Sequence, residues 1–381
     1  MLKAYKFVIR PTTEQITLIE KHFGACRFVY NYFIDQSKDK VMKKSDMQKM
    51  LVGLKAEKEW LNEINSQSLQ VATHNLYNAY GRFFKKLGGY PKFKSRKDSY
   101  QSFSIPQNVE IKENRLFIPK FKKNGIRVKL HRQIPAGSII KQATLSRHNA
   151  KYFISVLIDD QQELRNKVQP VNSVGIDMGL SQLYIFSNGE KIDNPKWLRA
   201  SERRLTKAQR ILSRKKLGSQ NRDKAKLRLQ KLHTKISNQR RDYIHKMTDA
   251  ITKQFDIICI ETLAIKNMIQ NLHLSKSIQD ASWNEFARQL AYKAQWKGKY
   301  FVQINRYYPS SKTCSVCGHY RKDMPLQIRL WTCSECHTKH DRDVNAAINI
   351  ERQGLSSLPV EVTRLLAPMK QEAAAVLAYP T

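Results

Sequence analysis

The order of apolar and polar positions switches along the chain between the period-two pattern of strands and the helical pattern of about 3.6 residues. Residues 3 to 10 alternate as a half-buried strand does, and Pro11-Thr12-Thr13-Glu14-Gln15 then offers a capping box. Behind it Ile16, Ile19, Phe23, Cys26 and Tyr30 recur on one side of a helix, with Cys26 as an ordinary core residue. Leu69, Ala72, Leu76, Ala79 and Phe83 mark a second helix. Between residues 88 and 165 the pattern turns to short alternating runs such as Gly125-Ile126-Arg127-Val128-Lys129-Leu130 and Tyr152-Phe153-Ile154-Ser155-Val156, broken by Gly, Pro and Asn. These runs predict a small β-barrel.

From Val171 the patterning changes again. Val174-Gly175-Ile176-Asp177, a glycine turn, an apolar run over residues 183 to 186 and the Asn188-Gly189 hairpin signal resemble the opening of a ribonuclease-H-like sheet. A long helical tract follows over residues 196 to 246. Ile257-Ile258-Cys259-Ile260-Glu261 is a further buried strand, Trp283, Phe286, Ala287, Leu290 and Ala291 line one face of another helix, and residues 300 to 304 form a last strand. Val344, Ala347 and Ile348 are spaced to bury a helix that opens near Asp343, with Gly354 as its stop. Residues 355 to 381 carry no motif.

A length of 381 residues implies roughly two or three domains, and 41% hydrophobic residues is ample for their cores. Charge narrows the partners. The 68 Lys and Arg against 32 Asp and Glu leave +36, a field that repels itself unless a polyanion is present. No apolar run approaches the about eighteen residues of a spanning helix, and the basic residues are spread through all regions, so nucleic acid is expected rather than a membrane surface. The tract over residues 196 to 246 alone holds eighteen basic and three acidic side chains, too lopsided for i,i+4 pairs to neutralise, which favours a phosphate-facing surface. Tyr90-Pro91-Lys92-Phe93-Lys94-Ser95-Arg96 suits phosphates and stacked bases, and equally suits a solvated lysine-rich loop.

The chemistry concentrates near the C-terminal end. Cys314-x-x-Cys317 and Cys333-x-x-Cys336, joined by a fifteen-residue spacer, have the spacing of two knuckles that point four thiolates at one tetrahedral zinc ion. Two disulfides are the competing reading. They are disfavoured in a chain with no signal peptide and only six cysteines, which is expected in the cytosol. With every ligand a cysteine, such a site staples a module and does no chemistry. Three carboxylates are the candidates for that. Asp177 and Glu261 each close an apolar run, and Asp343 stands where a helix begins, a place where an acid often serves only as a cap. Brought together, the three would repel unless divalent cations lay between them, and two magnesium ions there could clamp the attacking and leaving oxygens of a phosphodiester.

These residues carry a resemblance. Gly24-Ala25-Cys26-Arg27-Phe28-Val29-Tyr30-Asn31, Gly89-Tyr90-Pro91-Lys92-Phe93-Lys94, Val174-Gly175-Ile176-Asp177-Met178-Gly179-Leu180, Ile260-Glu261-Thr262-Leu263, Pro309-Ser310-Ser311-Lys312-Thr313-Cys314 and Asp341-Arg342-Asp343-Val344-Asn345-Ala346-Ala347-Ile348-Asn349-Ile350 resemble, in order, the transposon-associated TnpB family. That family comprises RNA-guided nucleases similar to compact type V CRISPR effectors. The resemblance implies a bilobed α/β and β multi-domain fold. A wedge-like β-barrel would take residues 1–10 and 88–168, with a helical recognition insertion at 11–87. A RuvC-like nuclease domain would take 169–308 and 341–354, a zinc-binding module 309–340, and a tail of unknown role 355–381. Asp177, Glu261 and Asp343 would be the catalytic, magnesium-binding triad, and Cys314, Cys317, Cys333 and Cys336 the zinc ligands. The choice of Asp343 over Asp341 rests on the family pattern. A guide RNA from the transposon end and double-stranded target DNA with a short adjacent motif are the implied partners, met in the bacterial cytoplasm and nucleoid. Met178 stands where the family often has leucine, and Thr262 where an acid often follows the glutamate; neither removes a triad carboxylate. A DNA-strand-transferring transposase and a nuclease-inactive RNA-guided repressor are the alternative functions.

Overall fold

The computed structural model describes residues 1–363 apart from Asp39, Lys122, Lys123, Ala150, Leu164 and Leu326. The chain divides into two compact units, Met1–Glu163 and a second from Leu164 onward.

The first unit opens with β1 (Leu2–Arg10) and α1 (Thr13–Gln36). The capping box is present: Thr12 N–H donates to Gln15 Oε1 at 3.0 Å and Gln15 N–H to Thr12 Oγ1 at 3.4 Å. α2 (Lys44–Glu57), a 3-10 turn (Glu59–Glu63) and α3 (Ser66–Phe84) follow. α2 was not legible as a stripe because its apolar anchors are few, Met47, Leu51 and Leu54 on an otherwise polar helix. Then come β2 (Tyr100–Ile105), β3 (Glu110–Lys112), β4 (Arg115–Phe117), β5 (Ile126–Lys129), β6 (Ile139–His148) and β7 (Lys151–Asp159).

The expected barrel is instead an open sheet of seven strands in the order β2-β6-β7-β1-β5-β4-β3. Among the described residues β2 and β3 do not pair, so the sheet does not close. The reason is length: β1, β6 and β7 run 9, 10 and 9 residues, whereas β3 and β4 run only 3 each and cannot carry the stagger that closure needs. Helices α1 and α3 cover β2, burying Phe23, Leu69, Leu76 and Phe103 in one core.

The second unit is built on a mixed five-stranded sheet, ordered β10-β9-β8-β11-β12: β8 (Ser173–Asp177), β9 (Gln182–Phe186), β10 (Lys191–Asp193), β11 (Ile257–Glu261) and β12 (Tyr300–Ile304). β8, β11 and β12 are parallel, and β9 and β10 antiparallel. The expected helical tract is a helical hairpin, α4 (Trp197–Ser213) and α5 (Gln220–Gln254), broken where Gly218 takes φ +79° and Ser219 caps α5. α6 (Ile265–Met268), α7 (Ser275–Ala281) and α8 (Trp283–Trp296) follow β11. The hairpin β13 (Leu330–Thr332) and β14 (Lys339–Asp341) leads into α9 (Arg342–Ser356) and α10 (Val360–Thr363). Residues 364–381 of the expected tail lie outside the described residues.

Strand alternation assigns the two faces of this sheet. Val174, Ile176, Ile258 and Ile260 pack with Ile244, Ile251, Phe286 and Leu290 of α5 and α8. Ile257 and Cys259 face the other way, toward Ile350 of α9. Gly354 does not stop α9. It lies within the helix against Cys259, whose Sγ would stand 2.3 Å from an added Cβ. Among the described residues no helix is long and apolar enough to cross a membrane.

Candidate active site and cysteine cage

Asp177 and Glu261 are the last residues of β8 and β11, neighbouring parallel strands in register from Ile257↔Ser173 to Ile260↔Ile176. One further step sets the two acids side by side, about 4.8 Å apart in strand spacing. By alternation both share the face of Gly175 and Cys259, the face on which α9 packs. Each carboxyl perturbs the other, and the Met178 amide bears on both. Thr262, next to Glu261, donates its hydroxyl to Ile304 O at 2.7 Å and ties the end of β11 to β12.

Burial drives the electrostatics. It raises the Asp177 carboxyl well above the usual carboxylate range, and the charges of Glu261 and Asp343 push it further. Burial also raises Glu261, although Asp177 and the Met178 amide work in the opposite sense. The structure thus sets Asp177 and Glu261 side by side and Asp343 near enough for its charge to bear on Asp177, but among the described residues the three acids do not close into a ligand cluster as the four cysteines do.

Asp341 and Asp343, two residues apart, have different surroundings. Asp341 is the N-cap of α9: its Oδ1 accepts from the backbone N–H groups of Asp343 and Val344 at 3.1 Å each. Its Oδ2 meets Lys191 Nζ at 2.6 Å. Burial works to raise its pKa, but these partners outweigh it and hold the carboxyl below its usual value. The capping role suspected for Asp343 therefore belongs to Asp341. Asp343 lies in the first turn and meets Arg329, whose Nη1 donates to both carboxylate oxygens at 2.9 and 3.1 Å. Arg329 escaped the sequence reading because a basic residue in the spacer of a cysteine module has no spacing that marks it.

Beside this cluster the Sγ atoms of Cys314, Cys317, Cys333 and Cys336 all lie within 4.8 Å of one another. The Cys314–Cys336 and Cys317–Cys333 separations are both 3.6 Å, and a tetrahedral ion with Zn–S bonds of about 2.3 Å requires sulfur separations of about 3.8 Å. Four thiols this close fit one tetrahedral ion, and none of the four is in a disulfide. Contacts with Thr338 lower the Cys336 thiol to about 6, whereas at Cys317 the His319 amide is outweighed by burial and the three neighbouring thiols, which push that thiol up to about 12, so the four bare thiols do not ionise together. His340, also missed from sequence, sets Nε2 3.1 Å from Cys314 Sγ and packs its ring on Trp331 at 4.7 Å. Burial lowers its pKa and favours the neutral ring.

A basic face lies on α4. On α4, Leu205 and Ala208 are buried while Arg199, Arg203, Lys207, Arg210 and Arg214 line a groove along the opposite side. Asp280 holds the start of that helix, accepting from Leu198 N–H at 3.0 Å and pairing with Arg240 at 2.5 Å.

Known proteins align with these features. Three family profiles match: "Probable transposase" over residues 153–272, "Cas12f1-like, TNB domain" over 283–350 and "Helix-turn-helix domain" over 1–44, the last a stretch that here forms β1 and a single helix, α1. A protein of Streptomyces pristinaespiralis, named an RNA-guided DNA endonuclease, is 35% identical over 364 residues, covering 93% of this chain and 90% of its own. InsQ of Escherichia coli K12, named likewise, is 33% identical and covers 97% of both chains. Among solved structures, CasPhi-2 (Cas12j) bound to crRNA matches at 10% identity and TM-score 0.46, covering 95% of this chain and 98% of that one. Identity of 35% along almost the whole of both chains settles the kinship: this chain belongs to the OrfB_IS605/TnpB family.

Proposed function

We propose that this chain is a Mg2+-dependent, RNA-guided DNA endonuclease that hydrolyses phosphodiesters of target DNA at Asp177, Glu261 and Asp343. One observation carries the reading. Two carboxyl groups stand side by side at the ends of adjacent strands, with a third acid near enough to raise the pKa of the first. That arrangement is costly without cations. Its donors are all oxygen, the set that suits magnesium rather than zinc. Two such ions, when bound, stabilise the attacking and leaving oxygens of an in-line displacement. The chain's own part is to hold the carboxylates. β8 and β11 fix Asp177 and Glu261, and α9 presents Asp343. No covalent protein intermediate is needed.

In this reading the cage at residues 309–340 binds zinc through cysteine alone and keeps no open position for substrate. Residues 169–308 and 341–354 form the nuclease domain, and residues 11–87 the recognition helices. The names of the curated relatives, from two bacteria, support an RNA guide and a DNA target. The guide would derive from the transposon end, the target would carry a short adjacent motif, and the work would be done on nucleoid DNA in the bacterial cytoplasm. The net charge of +36 suits this division: guide pairing reads sequence while the basic protein follows backbone. The test is expression with the flanking DNA of the chain's own locus, sequencing of copurified RNA, and challenge of that complex with a randomised target library in Mg2+. A defined RNA with guide-dependent cutting upholds the proposal. Unguided nicking, or joining of 3′ ends to new DNA, overturns it in favour of a strand transferase.

A further inference from the structure

Two buried amides link the cysteine cage to the helix that carries Asp343. Asn345 and Asn349 stand one turn apart on α9 and are only 1% and 3% exposed. Asn345 Oδ1 accepts from Ser315 N–H at 2.8 Å, and its Nδ2 donates to Thr313 O at 2.8 Å. Asn349 Nδ2 donates to Ser310 O at 2.8 Å and to Thr313 O at 2.6 Å. The segment they grip is the first knuckle, with Cys314 between the two backbone groups that Asn345 holds. Neither asparagine is a cage ligand or a candidate triad acid. An amide is the side chain that can accept from one backbone group and donate to another at once, and an apolar residue there would leave buried backbone groups unpaired.

We propose that Asn345 and Asn349 are positioning residues for the Asp343 carboxylate: they lock α9 to the cysteine knuckle, so that the cage fixes where Asp343 stands at the acidic cluster. This rests on the reading of Asp343 as a metal-binding residue. α9 is gripped from two sides. β8 touches it at Gly175, where an added Cβ would lie 2.0 Å from Ala347 O, and the knuckle holds the same turns through the asparagines. Arg342, adjacent to Asp343, gives a further attachment, its N–H donating to Arg329 O at 2.8 Å and its Nη1 to Pro325 O at 2.9 Å. Between these grips a rigid helix has one position, and Asp343 sits two residues before Asn345.

The test is Mn2+ binding to the full-length, zinc-loaded chain, followed by electron paramagnetic resonance alongside zinc content and melting temperature. Asn345→Ala and Asn349→Ala are expected to keep zinc yet weaken Mn2+ binding about tenfold, the scale of losing a partner that orients a metal ligand. Wild-type Mn2+ affinity with only a lowered melting temperature shows a merely structural role and overturns the proposal. If Asn345→Ala does not fold, Asn349→Leu keeps a similar bulk, removes the donor without adding charge, and carries the same expectation. Asp343→Ala separates the layers: unchanged Mn2+ binding in that variant removes the underlying reading and the proposal with it, whereas lost binding there with wild-type affinity in both asparagine variants removes the proposal alone.

Discussion

The Cα of Gly175 and the carbonyl of Ala347 approach so closely that a single added methyl group would lie 2.0 Å from the oxygen. This contact sets how near α9 can come to β8, and so how near Asp343 stands to Asp177. Gly175→Ala must push the helix off the strand. The expected cost is about 1–3 kcal/mol of stability, as for overpacked cores, with cleavage lost well before the fold. Thermal melting together with cleavage rates checks this; an unchanged melting temperature contradicts it.

Acid dependence follows from Asp177. Its folded pKa is raised by burial and by its acidic neighbours, so the native state binds that proton more tightly than the unfolded chain. The contribution to stability is therefore present below the ordinary value of 3.8 and is lost as pH rises through the raised folded value. Metal-free protein should become less stable on going upward through that window, and Asp177→Asn should flatten the trend. Melting curves from pH 4 to pH 8 in a chelator for divalent ions other than zinc test it. Cations compete with the same proton, so raising Mg2+ should move the acidic limb of the cleavage profile to lower pH.

The cage is expected to be a staple. Cys333→Ser should lower zinc content and the melting temperature of the second unit, because the ligand set is no longer complete. Metal analysis beside calorimetry decides; wild-type zinc stoichiometry with an unaltered melting temperature contradicts the assignment.

The groove on α4 leads to a salt experiment. Arg203→Ala and Arg210→Ala remove exposed guanidinium groups that lie about two turns apart on that groove. Each should weaken nucleic-acid binding about equally for all sequences and reduce the slope of log K against log salt by about one. Loss that depends on sequence, with the slope unchanged, would assign these residues to base reading instead.

What the sequence discloses and what it hides has a physical pattern. The acids closing β8 and β11 were legible because a buried strand is an uninterrupted apolar run and a carboxylate at its end breaks that run. The cysteine pairs were legible because ligand spacing is local. The barrel failed because closure depends on strand lengths and stagger, which short alternating runs around Gly125 do not reveal. Gly354 read as a helix stop, yet it is a packing glycine against Cys259, a distinction that exists only once the strand is in place. Likewise Arg329, His340 and the paired asparagines act across the fold, and no local pattern marks them. The separation of Asp341 as cap from Asp343, whose charge bears on Asp177, also emerges only once the fold sets their partners.

The central claim is tested most directly by cleavage of guide-matched DNA in Mg2+ by the RNA-bound protein, comparing wild type with Asp177→Ala. The account predicts cutting by the wild type, none by the variant, and RNA affinity nearly equal in the two, because backbone contacts elsewhere dominate binding. Undiminished cutting by a folded Asp177→Ala protein would contradict it.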